Sequence, residues 1–213
     1  MIAITSWLPD VLPSLPGCPE PSVIRAIRDA AIEFCNRSLI WRHEIEPIPV
    51  VKGIGDYELD VPRDANIAGF IRVRHADRLR PLELRTTDEL DDMSPGWRTA
   101  YGTPQFFVQH GKYGILLDRL PAETKRNALS ATVALKPSTT ATTLPDVLYI
   151  DWKDQITDGA RARLMVDANR QWSDPARAEQ SRMNFRAGIE RAELKSRLGS
   201  GARDLSVRKR RVF

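Results

Sequence analysis

Residues 144–198 read LPDVLYIDWKDQITDGARARLMVDANRQWSDPARAEQSRMNFRAGIERAELKSRL, and this stretch decides the fold. Its spacing predicts a helical hairpin. One helix runs from Pro145 to about Asn169, a break falls at Trp172-Ser173-Asp174-Pro175, and a second helix runs from Ala176 to about Leu198. On the first helix Leu148, Trp152, Ile156, Gly159, Arg163 and Val166 recur every three or four residues and share a face. On the second, Ala178, Phe185, Ile189 and Ala192 make a narrower stripe among arginines and glutamates. Pro145 and Pro175 sit in first turns, where the missing N–H breaks no bond. Asp174 is a natural N-cap, and Gly199 and Gly201 are natural stops.

A third helix is expected upstream. Pro19 and Pro21 open it, and Val23, Ile27, Ala30 and Phe34 form its apolar face up to about Arg37. Alone, such a helix leaves that face in water, so it is expected to pack on the hairpin across about a hundred intervening residues. Between them, Trp41 to Lys136 reads as β structure. Alternating runs at Ile45–Val51, Tyr57–Val61, Ile67–His75, Gln105–His110, Tyr113–Leu117 and Leu129–Leu135 are separated by turn residues, among them Gly53-Ile54-Gly55 and Gly111-Lys112. Thr86 to Met93 reads as a short acidic helix among the strands. Residues 1–18, with Pro9, Pro13, Pro16 and Gly17, are expected to form an extended arm, and residues 137–143 a linker.

The expected class is therefore α+β. Residues 19–40 and 144–199 form a three-helix bundle, and a small antiparallel β domain, sandwich- or barrel-like, is inserted over 41–136. At 213 residues with 42% hydrophobic and 28% charged side chains, the chain has enough apolar material for such cores. No apolar run approaches the ~20 residues of a membrane-spanning helix, and the N-terminus lacks the pattern of a secretory signal. Cys18 and Cys35 match neither a metal-ligand spacing nor a disulfide framework, which fits a reducing cytoplasm.

The search for chemistry returns little. His43, His75 and His110 are scattered through the β region without ligand-spaced partners. There is no P-loop, no dinucleotide fingerprint and no nucleophile elbow, so neither catalytic residues nor cofactors are expected. Glu89, Asp91 and Asp92 read as a solvated acidic run rather than a cation site, and Asp151 and Asp154 as carboxylates favourable to an early helical turn. Trp41, Trp97, Trp152 and Trp172 read as packing residues, whereas Trp7, in the arm, is the tryptophan with a claim to intermolecular contact.

The charge is uneven. The last eleven residues carry Arg203, Arg208, Lys209, Arg210 and Arg211 against Asp204, which accounts for the whole net charge of +4. A basic end with Val212 and Phe213 as apolar anchors fits a solvated tail, a peptide arm for a partner protein, or a nucleic-acid contact. Arginines also crowd both hairpin helices. Arg163, Arg170, Arg182, Arg186 and Arg191 either pair with carboxylates of a neighbouring subunit or belong to solvated faces with local pairs such as Arg186–Glu190.

Several short patterns, taken in order, resemble one family. They are Phe34-Cys35 with Ser38 and Trp41, Tyr57-x-Leu59-x-x-Pro62, Gly102-x-Pro104-x-x-Phe107, Leu144-Pro145-Asp146, Gly159-Ala160 with Leu164, Trp172-x-Asp174-Pro175, and Phe185, Ile189 and Ala192 before a basic end. Over residues 20 to 213 the chain resembles head-to-tail adaptors of tailed bacteriophages, those similar to the tail tubular protein A of short-tailed phages. The resemblance implies no catalysis. It implies a ring of about twelve copies at the head-tail junction of the virion, seated between a portal protein and a tail nozzle or tube protein. It further implies passage of double-stranded DNA without sequence-specific binding, no membrane partner, and a portal-docking role for Arg208, Lys209, Arg210, Arg211, Val212 and Phe213. The rival expectation is a nucleic-acid-binding module that uses the basic tail and the β domain.

Overall fold

The computed structural model describes residues 1–198. The stops expected at Gly199 and Gly201, and the basic segment 203–213, lie outside the described residues.

In chain order the elements are β1 (Ile2–Ala3), α1 (Leu8–Val11), α2 (Glu20–Ser38), β2 (Arg42–Val50), β3 (Asp56–Glu58), β4 (Ala65–His75) and β5 (Glu83–Leu84). There follow α3 (Thr87–Met93), β6 (Phe106–His110), β7 (Gly114–Leu117), β8 (Lys125–Pro137), β9 (Thr143–Leu144), α4 (Asp146–Leu164) and α5 (Pro175–Leu198). The chain is α+β, with the β elements running between α2 and α4.

Helices α2, α4 and α5 share one core. Val23, Ile27, Ala30 and Phe34 of α2 are wholly buried against Leu148, Ile156 and Ala160 of α4 and Phe185, Ile189 and Ala192 of α5. The Phe34 ring lies 5.4 Å from Trp152 and 6.1 Å from Phe185, centroid to centroid. Gly159 makes this approach possible: a Cβ there would stand 2.7 Å from the Phe185 ring and 3.0 Å from the Ala30 Cβ. Helix α2 ends on Leu39 at φ 53°, whose N–H donates to the Cys35 carbonyl at 3.0 Å. Helix α5 is capped as the sequence predicts, the Arg177 N–H donating to Asp174 Oδ1 at 3.0 Å.

Three expectations at the joins need correction. The first eighteen residues are not an extended arm. Ile4 to Ser14 fold into consecutive helical turns, with Pro9 and Pro13 in first-turn positions where a φ fixed near −65° is compatible with a helix. Ile4, Trp7, Val11 and Leu15 enter the helical core. The first hairpin helix ends at Leu164 rather than Asn169. The loop beyond is closed by the Asp174 N–H on the Met165 carbonyl at 3.1 Å and by Arg170, which pairs with Asp167 and lies over Trp172. Residues 137–143 are not a free linker: β8 reaches Pro137, Ala141 is buried, and β9 pairs antiparallel with β1, Ile2 opposite Leu144.

The β region forms two sheets. One has the order β2-β8-β4, all antiparallel; the other has the order β3-β7-β6-β5. In the second, β5 and β6 run parallel, Glu83 opposite Phe106, so the insert is not wholly antiparallel as expected. The segment carrying α3 between them supplies the crossover that a parallel pair requires. Helix α3 closes its start with a capping box, Thr86 Oγ1 accepting from the Glu89 N–H and Glu89 accepting from the Thr86 N–H. The sheets bury a second core in which Ile45, Val73 and Val133 of one meet Tyr57, Phe107, Ile115 and Leu117 of the other. Trp41 packs against both cores, and its carbonyl accepts the Leu135 N–H at 2.7 Å.

Two measurements check this packing. Gly159→Ala improves intrinsic helix propensity by ~1 kcal/mol, yet overpacking against Phe185 and Ala30 is expected to outweigh it. The variant should be less stable by about 1–3 kcal/mol in denaturant unfolding. His75 is buried on β4 with Nδ1 accepting the Asp77 N–H at 3.3 Å and Nε2 unpartnered, and burial pushes its pKa below the usual 6.5. The unfolded chain then binds more protons between the folded and unfolded pKa, so stability should fall as pH drops below about 6.5. His75→Gln should flatten that dependence in melts between pH 7 and 5.

Candidate functional site

Nothing among the described residues assembles a reaction centre. Glu89 is engaged in the α3 cap, and Asp91 accepts from Trp97 Nε1 at 2.8 Å and from Arg98, so the acidic run is used locally. Asp151 pairs with Lys195 at 2.9 Å, and His110 sits 3.1 Å from Asp56. No group of three metal-ligating side chains occurs among the described residues. Burial raises the Cys35 thiol far above its ordinary range and leaves it inert. No helix among them is long and apolar enough to cross a membrane.

The features available for recognition are faces, and the foremost is the arginine-bearing side of the bundle. The close pairing of α4 with α5 brings Arg163, Arg182 and Arg186 around a cleft of about 440 Å³ that is also lined by Val166, Phe185 and Glu33 of α2. Val166 and the nearby Met183 of α5 are each 50% exposed. Arginine beside exposed apolar side chains is the composition of protein–protein contact centres.

The six residues singled out in the sequence part company here. Trp7 is wholly buried, edge-on to Tyr149 at 4.8 Å, and is unavailable to a partner. The apolar spacing of Ile4, Trp7 and Val11 was the missed signal, masked by the prolines. Arg163 is internal cement: it pairs with Glu33, donates to the Gly159 carbonyl at 2.6 Å and lies 5.3 Å from the Phe185 ring centroid. Arg170 and Arg182 pair locally with Asp167 at 3.1 Å and Glu179 at 2.8 Å. Arg186 and Arg191 are exposed and form no ion pair among the described residues, and Arg191 donates only to the Ala187 carbonyl at 3.4 Å. The local pair Arg186–Glu190 is absent. Arg161 locks the N-terminal turns by donating to Ser14 Oγ at 3.1 Å and to the Asp10 carbonyl at 2.5 Å. Arg208, Lys209, Arg210, Arg211, Val212 and Phe213 lie outside the described residues.

Among the described residues, then, the chain offers two hydrogen-bonded cores and an arginine-bearing helical face. The family model described as SU10 adaptor protein matches residues 1–210. The chain belongs to the SU10 adaptor protein family. The match starts at residue 1 and so includes the segment of the buried N-terminal turns, which the sequence patterns from residue 20 onward did not reach. No curated protein matches the chain. As an SU10 adaptor protein it is a structural bacteriophage protein, and the patterns that pointed there are architectural. Phe34, Phe185, Ile189 and Ala192 build the helical core, Leu59 and Phe107 build the β core, and Asp174 caps α5.

The arginines separate in experiment. Arg163→Ala should lower thermal stability by about 1 kcal/mol through loss of the Glu33 pair and the Phe185 contact. The double substitution Arg186→Glu with Arg191→Glu, at two exposed positions without an ion pair among the described residues, should leave the melting temperature within a degree or two.

Proposed function

We propose that this SU10 adaptor protein is the head-to-tail connector of a tailed phage virion, a ring of about twelve copies joining the portal to the tail nozzle or tube and letting genomic DNA through. The family match over residues 1–210 carries the reading. The composition agrees with it. The body up to residue 202 is charge-balanced, and a strongly basic channel would hold phosphates through counterion release and slow a sliding duplex.

In this reading the two hairpin arginines that form no ion pair among the described residues, Arg186 and Arg191, face carboxylates of the neighbouring copy, with Val166 and Met183 as adjoining apolar contact. Arg163 ties that face to Glu33, while Arg170 and Arg182 stay in their local pairs. The segment with Arg208 to Phe213 docks on the portal, its arginines clamping acidic groups and Val212 and Phe213 anchoring. Assembly before that step takes place in the host cytoplasm.

Native mass spectrometry of the purified protein, alone and with its cognate portal, tests the proposal. Rings of about twelve copies are expected with the portal and monomers without it. Removal of 203–213 should abolish portal binding, and the Arg186→Glu/Arg191→Glu protein should bind the portal without closing rings. A monomer that ignores the portal and shifts a DNA duplex at physiological salt would overturn the connector in favour of a nucleic-acid-binding module.

A further inference from the structure

The outer edge of β2 carries a groove that no assembly contact named above uses. It has a volume of about 590 Å³ and lies between β2 and the segment 60–62. Ile48, Val61, Pro47 and Pro49 give it an apolar lining, and Glu44, Glu46 and Asp60 supply its acids. These three carboxylates are exposed and form no ion pair among the described residues. His43 is the single basic side chain lining the groove among those residues. β2 is an edge strand, yet Pro47 and Pro49 lack the N–H groups that an added strand would need. An occupant must therefore bind through side chains: cations for the carboxylates and apolar groups for the lining.

The position of the groove specifies where such an occupant can come from. The last turn of α5 is tied to the start of β2: the Arg42 guanidinium donates to the Ser196 carbonyl, and Ser196 Oγ donates to the Leu39 carbonyl at 3.1 Å. The chain thus leaves Leu198 beside the first residues of β2 with fifteen residues to follow, the last six being Arg208, Lys209, Arg210, Arg211, Val212 and Phe213. Residues 199–208 span up to ~33 Å, and the nine residues of β2 cover ~30 Å. The whole groove is within reach of residues 208–213 of the same chain.

We propose that in the free protein residues 208–213 lie in this groove, with the basic side chains on Glu44, Glu46 and Asp60 and Val212 and Phe213 against Ile48 and Val61. The adaptor then carries its docking segment stored on its own β domain, and a partner must outcompete three exposed carboxylates to take it. Each exposed pair contributes little and is screened by salt. The holding is therefore weak enough to be exchanged.

Lys209 is the one lysine after Leu198, which makes the proposal directly readable by zero-length carbodiimide coupling of amines to carboxylates. The full chain, mixed equally from light and heavy isotope preparations and kept dilute without portal, is coupled and mapped by mass spectrometry. Lys209 is expected to join Glu44, Glu46 or Asp60 within same-isotope chains, with the yield falling about tenfold in ~1 M salt. The same fall is expected in the Val212→Ser/Phe213→Ser variant, which keeps every reacting group, adds none and alters no described residue. Mixed-isotope products would assign the groove to a second copy and overturn the intramolecular arrangement. Links of Lys209 to other carboxylates, no link at all, or links insensitive to the double substitution would overturn the groove as the site. The experiment contains no portal, so its failure leaves the connector reading standing.

Discussion

The close approach of three helices at Phe34, Gly159 and Phe185 is the constraint on which the rest of the structure depends. Phe34 touches both Trp152 and Phe185, and Phe185 occupies the space that a Cβ at position 159 would take. Gly188 repeats the device from the other helix, where a Cβ would come within 2.4 Å of Gln155. Tight interior packing makes such contacts intolerant of a single added methyl group. Because α4 and α5 are drawn this close, Arg163 lies over the Phe185 ring and reaches Glu33, and Arg182 and Arg186 gather around one cleft. The shape of that arginine-bearing surface is a consequence of the core.

Joining the two cores is the second requirement, since the β elements interrupt the helical unit between α2 and α4. Trp41 packs into both clusters and holds the neighbouring strand through its carbonyl, while Lys136 of β8 donates to Asn36 of α2 at 2.9 Å. At the far side the N-terminal turns close the seam. Ile4 donates to the Thr142 carbonyl at 3.0 Å, β1 pairs with β9, and Arg28 of α2 reaches the Ala141 carbonyl at 2.7 Å. Both crossings between helical and β parts are therefore hydrogen-bonded, which ties the two cores together.

Charge on the hairpin is balanced locally. Most arginines of the hairpin are neutralised by carboxylates three or four residues away or on an adjacent helix, leaving a few unpaired on the surface. Local pairs of this kind add only tenths of a kcal/mol to a helix. They do, however, remove the field that an arginine-rich face would otherwise present to a phosphate backbone.

By itself the sequence determined the elements whose signals are local: helices α2, α4 and α5 from their periodic apolar faces, the short acidic helix α3 over Thr86 to Met93, and the β6–β7 hairpin from Gly111-Lys112. Its ordered patterns also pointed to an adaptor. Only the tertiary structure decided the status of particular side chains. The prolines at 9 and 13 look the same whether the segment is extended or folded into turns, and it is the apolar seat beside Tyr149 that buries Trp7. The parallel pairing of β5 with β6 depends on a crossover that alternation cannot encode. Which arginines are free depends on whether Glu33, 130 residues from Arg163, arrives at that side chain. Periodicity reports the face a residue occupies; what fills that face is set by segments distant in sequence.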